Sequence, residues 1–137
     1  MIYLAIDFGT KRVGIAWATT WLAEPLTVVQ NTDQLFPDLL KLIKKYAPDI
    51  IVIGRSEKKM AALSELFSAE LEQYLTGKLD TVPQFAFADE TLSSVEAVEK
   101  LHQAGKRDVR LHGPIDHYAA AQVLQEYLDL HHLDESR

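Results

Sequence analysis

Three acidic residues stand where elements of the chain stop or start: Asp7, Glu90 and Asp116. Asp7 closes the apolar run Ile2-Tyr3-Leu4-Ala5-Ile6, where an aliphatic residue would be ordinary. An ionised carboxylate on a largely buried strand is costly unless a cation or hydrogen-bond donors compensate it. Glu90 lies just past the run Phe85-Ala86-Phe87-Ala88, next to Asp89, and Asp116 lies in the first turn of a helix that Pro114 introduces. Three carboxylates gathered in one place repel strongly unless cations neutralise them. Oxygen donors in a chain without cysteine suit Mg²⁺ or Mn²⁺ rather than zinc. Two such ions about 3.5–4 Å apart can stabilise both the attacking and the leaving oxygen of a phosphodiester displacement. One ion then makes its water nucleophilic, so the protein needs no covalent nucleophile.

Each acid also has an ordinary role open to it. Asp7 can cap the turn that follows, accepting hydrogen bonds from the amides around Phe8 to Thr10. Glu90 can be an exposed acid near a helix start, and Asp116 a common first-turn acid. Asp89 competes with Glu90, and spacing alone does not choose between them. Joint placement is what separates the two accounts, so the elements that carry the acids matter.

The first apolar run, a tight turn at Gly9 and Val13-Gly14-Ile15-Ala16-Trp17-Ala18 predict a hairpin. A third short strand covers Leu22 to Val29, with Pro25 near its start. Leu35, Leu39, Leu42, Ile43 and Tyr46 then recur at helical spacing, with Thr32 or Asp33 as cap and Pro48 as stop. Ile50-Ile51-Val52-Ile53-Gly54 is apolar on both faces, as in a central parallel strand covered by helices. A second helix runs from about Lys58 to Leu75 with Met60, Leu63, Phe67, Leu71 and Tyr74 as its apolar stripe, ended by Gly77. A fifth strand covers Gln84 to Ala88, and Ser93-x-x-Glu96 is a capping box for a third helix closed by Gly105. In the last helix Ala120, Leu124, Tyr127 and Leu128 share a face. Trp17, Trp21, Phe85 and Phe87 are expected to pack in the core rather than stack on bases.

Three meander strands followed by βαβ units predict a mixed sheet with helices on its faces. If the first, fourth and fifth strands are parallel, Asp7 and Glu90 emerge at the carboxyl edge, where open α/β sheets place ligands. Asp116 reaches that edge if the last helix packs back across the first strand.

The 137 residues, 47% hydrophobic and 25% charged, fit a single domain over 1–137 that needs no disulfide or structural metal. No apolar run approaches the roughly 20 residues of a membrane span, and the first one does not have the pattern of a signal peptide, so a cytoplasmic protein is expected. The net charge of −6 argues against nucleic acid taken as a sum. Its distribution does not: Lys11-Arg12, Arg55 with Lys58-Lys59, and Lys106-Arg107 with Arg110 lie beside the apolar motifs. One edge that gathers these segments gives an acidic protein a local basic face, whereas isolated pairs usually mean solvated surface charge.

Together these residues resemble the YqgF (RuvX) family of RNase H-fold proteins, described as Holliday junction resolvases and as nucleases that mature the 5′ end of pre-16S ribosomal RNA. The resemblance rests on Leu4-Ala5-Ile6-Asp7-Phe8-Gly9-Thr10-Lys11-Arg12-Val13-Gly14-Ile15-Ala16, on Pro25-Leu26, on Asp89-Glu90-Thr91-Leu92-Ser93-Ser94, and on Ile115-Asp116-His117-Tyr118-Ala119-Ala120-Ala121 through Leu128. It implies an α/β RNase H-like fold: a five-stranded mixed sheet of order 3-2-1-4-5, strand 2 antiparallel to the rest, with helices on both faces. It implies that Asp7, Glu90 and Asp116 are catalytic acids holding a two-metal Mg²⁺ or Mn²⁺ site, choosing Glu90 over Asp89. It also sets Lys11 and Arg12 beside that site, able to hold phosphate, and Arg55, Lys58, Lys106 and Arg107 are the further candidates for nucleic-acid contact. The expected function is a metal-dependent nuclease on pre-rRNA or branched DNA. A resolvase making paired cuts is expected to form a homodimer; an RNA-trimming enzyme need not.

The chain also departs from the family pattern. Gly54 is followed by Arg55-Ser56-Glu57-Lys58-Lys59-Met60, without the usual Gly-Leu-Pro and Asp-Gly, and Thr91 stands where an arginine is usual. These changes keep a non-catalytic RNA-binding or ribosome-assembly module as an alternative. A further one is an actin-like nucleotide-binding domain, since Asp7-Phe8-Gly9-Thr10 looks like the phosphate-binding turn of such proteins. Those enzymes generally enclose ATP between two domains, and this chain has the length of one.

Overall fold

The computed structural model describes residues 1–55, 59–89 and 116–135. Its elements in chain order are β1 (Tyr3–Asp7), β2 (Arg12–Ala18), β3 (Glu24–Gln30), α1 (Leu35–Tyr46), β4 (Ile50–Arg55), α2 (Lys59–Leu75), β5 (Gln84–Asp89) and α3 (Asp116–Glu135). The helix expected between Ser93 and Gly105 lies outside the described residues. The strands form one sheet in the order β3-β2-β1-β4-β5. β2 runs antiparallel to β1 and β3, while β1, β4 and β5 are mutually parallel.

The two faces of the sheet differ in side-chain size, which decides how closely helices approach. Leu4, Ile6, Val13, Ile15, Ile51 and Ile53 face α1 and α2 and pack with Leu35, Leu39, Ile43, Phe67, Leu71 and Leu75. The opposite face presents Ala5, Ala16, Ala18 and Val52 to Ala120, Leu124 and Leu128 of α3. Alternation along each strand sorts the residues: in β1, Leu4 and Ile6 go one way, Tyr3 and Ala5 the other. Small residues at the centre of this face let α3 lie close to the sheet, while Tyr3 packs edge-on against Tyr127 farther along the helix.

Local chemistry corrects several expectations. α1 starts later than its sequence cap predicts: Gln34 is the N-cap and its side chain makes no capping bond. Thr32 instead builds the turn before it, accepting from Leu35 N at its carbonyl (3.0 Å) and from Gln34 N at its hydroxyl (3.2 Å). Pro37 sits in the first turn, where its missing N–H is no loss. In α2 the buried stripe is Ser64, Phe67, Ser68, Leu71 and Leu75, and Leu63 is 43% exposed. The helix is rotated relative to the predicted stripe because two serines fill its close contact with the core. Trp17 and Phe85 pack on the core, but Trp21 is 62% and Phe87 38% exposed. Trp21 follows the end of β2, in the connection to β3. Among the described residues no helix is long and apolar enough to cross a membrane.

Candidate active site

Asp7 is the last residue of β1 and is half-buried. Its neighbours across the sheet are Gly14 of β2 and Gly54 of β4, and the same row continues to Val28 of β3 and Ala88 of β5. Directly paired residues share a face, so Asp7 lies on the α3 side with Tyr3 and Ala5, flanked by two residues without side chains.

The turn from β1 to β2 is held from outside the hairpin. Asn31, just past β3, donates from Nδ2 to the carbonyl of Gly9 (2.8 Å) and from its backbone N–H to the carbonyl of Lys11 (3.0 Å). A Cβ on Gly9 would lie 2.3 Å from the Arg12 carbonyl oxygen, so the turn closes only around glycine. Lys11 is thereby held at the tip of a fixed turn, exposed, with no ion pair among the described residues.

Gly14 brings the second acid in. A Cβ there would lie 2.0 Å from the Asp116 carbonyl oxygen, 2.4 Å from its carbon and 2.9 Å from the His117 nitrogen. The first turn of α3 therefore rests on bare backbone, at the residue paired with Asp7. The sequence carries Asp7 and Asp116 more than a hundred positions apart, and a glycine is what lets them share one corner. Arg12 opens β2 on the same face, two residues from Gly14. Its Nε donates to Asp116 Oδ2 at 3.0 Å, with the side chains 44% and 26% exposed.

His117 follows Asp116, and its ring lies 4.4 Å from that of Tyr118. Burial pushes its pKa below the usual histidine value, and the nearby Asp116 carboxylate only partly opposes this. Its Nδ1 is buried without a hydrogen-bond partner among the described residues. A ring biased toward its neutral form is a poor proton donor at neutral pH.

Arg55 sits elsewhere. It neighbours Gly54 in β4 and so points to the opposite face, where Nη1 contacts Glu65 Oε1 at 3.1 Å and the guanidinium lies 5.0 Å from the Phe87 ring centroid. The structure therefore pairs Arg12 with Asp116 next to the strand position of Asp7, with Lys11 on the adjoining turn, and sets Arg55 on the other side of the sheet. Glu90, Lys58, Lys106 and Arg107 lie outside the described residues. Asn31 and Gly14 do not stand out in the sequence as site residues. Asn31 follows a strand as any turn asparagine does, and Gly14 lies within an apolar strand whose distant partner the sequence does not show.

Among the described residues no group of three histidine, cysteine or acidic side chains is close enough to hold a metal ion. Two carboxylates nonetheless suit Mg²⁺ or Mn²⁺, which take one or two protein carboxylates and fill the remaining positions with water and substrate phosphate. An all-oxygen donor set fits such an ion better than it fits zinc, whose sites favour cysteine and histidine.

Comparison with known proteins gives consistent findings. The family model described as "RuvX: Holliday junction resolvase" matches residues 1–130. A protein of Methylobacillus flagellatus named "Putative pre-16S rRNA nuclease" is 32% identical over 136 residues, covering 92% of this chain and 89% of the relative. A protein of the same name from Helicobacter pylori is 30% identical over 129 residues, covering 90% of this chain and 92% of its own length. Among solved structures, T. thermophilus RuvC in complex with a Holliday junction substrate matches with TM-score 0.63 at 14% identity, over 96% of each chain. The fowlpox virus Holliday junction resolvase matches with TM-score 0.62 at 14% identity, over 94% of this chain and 99% of that one. At such identities these two share the fold, which is RNase H-like.

Proposed function

The chain belongs to the RuvX family, and from that premise we propose that it is a metal-dependent nuclease that hydrolyses phosphodiester bonds in structured nucleic acid, its substrate being the 5′ end of pre-16S rRNA. The relatives that cover nearly the whole chain carry the rRNA name, which favours RNA over branched DNA. One observation supports the nuclease reading: the backbone of Asp116 is packed onto Gly14, the residue paired with Asp7, which sets the two acidic residues in neighbouring positions at the carboxyl edge of the sheet.

Asp7, Asp116 and Glu90 hold the divalent ions. When bound, such ions supply an activated water and neutralise the charge that grows on the leaving oxygen. The protein's own part is placement. The turn braced by Asn31 presents Lys11 to the nucleic-acid backbone as a point charge. Arg12, with further N–H donors beyond Nε, can grip phosphate as a fork. Lys58, Lys106 and Arg107 are further candidates for phosphate contact, whereas Arg55 lies on the other face, engaged by Glu65 and Phe87. We place the protein in the cytoplasm with its substrate, acting without need of a second copy.

The test is digestion of a panel of pre-16S rRNA ends, single strands and four-way junctions with Mg²⁺ or Mn²⁺, beside the Asp7→Asn protein. Replacing even a partner of a metal ligand typically costs 10–100-fold, so loss of a direct ligand should cost at least about 100-fold. Cleavage of rRNA ends by the wild type and its loss in the variant are expected, with unchanged melting. Equal cleavage by both proteins removes the assignment.

A further inference from the structure

The nuclease assignment leaves one contact unexplained: Arg12 already occupies an oxygen of Asp116. Two accounts of such a pair differ in sign. A guanidinium that serves as a strut orients the carboxylate and helps it receive an ion. A guanidinium that serves as a stand-in cation competes with the ion for the same oxygens. Resting on the proposed ion-holding role of Asp7 and Asp116, we propose that Arg12 is the stand-in: it neutralises Asp116 in the ion-free protein and is exchanged onto a phosphate of the nucleic acid when divalent ions arrive.

Several features support exchange over strutting. The pair is made through Nε, and the terminal nitrogens of the fork have no partner among the described residues, whereas a strut would be expected to use the bidentate geometry that arginine and carboxylate favour. Both side chains are substantially solvated, at 44% and 26% exposure, so the pair is held weakly and opens at small cost. The backbone at Arg12 is fixed by contrast: its carbonyl closes on Gly9, and Asn31 pins the adjacent Lys11 carbonyl. Only the side chain is left to move, and it moves within a corner that already holds Lys11, the natural place for a nucleic-acid backbone to run.

The arrangement has a thermodynamic consequence. If an ion frees Arg12 and the freed Arg12 binds phosphate, then ion and nucleic acid each raise the affinity for the other, by the same factor. Without an ion, the corner is self-neutralised and has one less cation to offer a backbone. Unproductive binding of nucleic acid by the ion-free protein is thereby reduced.

The experiment is calorimetric titration of Mn²⁺ into the full chain, without nucleic acid, for the wild type, Arg12→Gln, Lys11→Gln and Asp7→Asn. Lys11→Gln removes the same charge one residue away, from a side chain with no ion pair among the described residues, and so measures the general effect of one fewer cation. The stand-in role predicts that Arg12→Gln binds Mn²⁺ about two- to fivefold more tightly than the wild type, the range an exposed ion pair allows, and clearly more tightly than Lys11→Gln. Its KM for nucleic acid at saturating Mn²⁺ should rise in the same variant. Weaker Mn²⁺ binding by Arg12→Gln would identify a strut, and an equal gain in both variants would identify a general field; either result overturns the proposal while leaving the nuclease assignment intact. Wild-type protein that takes up no Mn²⁺, like Asp7→Asn, would remove the ion site itself and this exchange with it.

Discussion

At the scale of residues, the site is a meeting of opposite charges on one corner of a sheet. Asp7 and Asp116 bring negative charge, Arg12 offsets part of it, and Lys11 stands exposed on the adjoining turn. A lysine of this kind contributes to nucleic-acid affinity mainly by releasing a counterion from the backbone. Lys11→Gln is therefore expected to weaken binding across sequences alike and to lower the slope of log affinity against log salt by about 1. Fluorescence anisotropy of a labelled RNA over a salt series measures this, and an unchanged slope would remove Lys11 from the contact surface. Arg55 is a less useful target for the same purpose, since Glu65 and Phe87 already engage it on the far face.

At the scale of elements, glycine and alanine set the distances. α3 reaches the sheet because β1 and β2 present Ala5, Ala16 and Ala18 to it, and its first turn descends fully because Gly14 has no side chain. A methyl group at Gly14 would overlap the Asp116 carbonyl, and backbone cannot yield as a side chain can. Gly14→Ala is expected to lift the start of α3, draw Asp116 away from Asp7 and cost about 1–3 kcal/mol of stability, the range for overpacking. Cleavage should fall with it, although no charge has changed; a fully active, equally stable variant would contradict the geometry. The end of α1 carries an independent prediction. Ala47 closes that helix in the left-handed conformation, φ 47° and ψ 57°, where a Cβ is unfavourable. Ala47→Gly should stabilise the protein by about 1 kcal/mol, and a lower melting temperature would count against that assignment. Ala47 is at the end of α1 away from Asn31 and the turn it braces, so nuclease activity gives a control that should not move.

At the scale of the whole molecule, the features legible in the sequence were those with a short-range cause. Ile50 to Ile53 announce a buried central strand, and Pro48 and Gly77 stop helices. The sheet order came with the family resemblance, and the strand pairing agrees with it throughout. What escaped the sequence depends on partners far along the chain. Arg12 and Asp116 are 104 residues apart, and Asn31 reaches back 22 residues to brace the turn at Gly9. The rotation of α2 escaped for a related reason. Apolar spacing ranked Leu63 above Ser64, but close packing against the core favoured the smaller serine. Exposure of Trp21 likewise follows from where its connection lies rather than from its own hydrophobicity.

The central claim is that Asp7 and Asp116 share divalent ions. Crystals soaked in Mn²⁺ and measured at an anomalous wavelength test it most directly. The account predicts peaks within about 2.0–2.2 Å of carboxylate oxygens of both Asp7 and Asp116, with the Arg12 guanidinium moved off Asp116. Peaks that touch neither acid, or Mn²⁺ bound only elsewhere on the acidic surface, would contradict it.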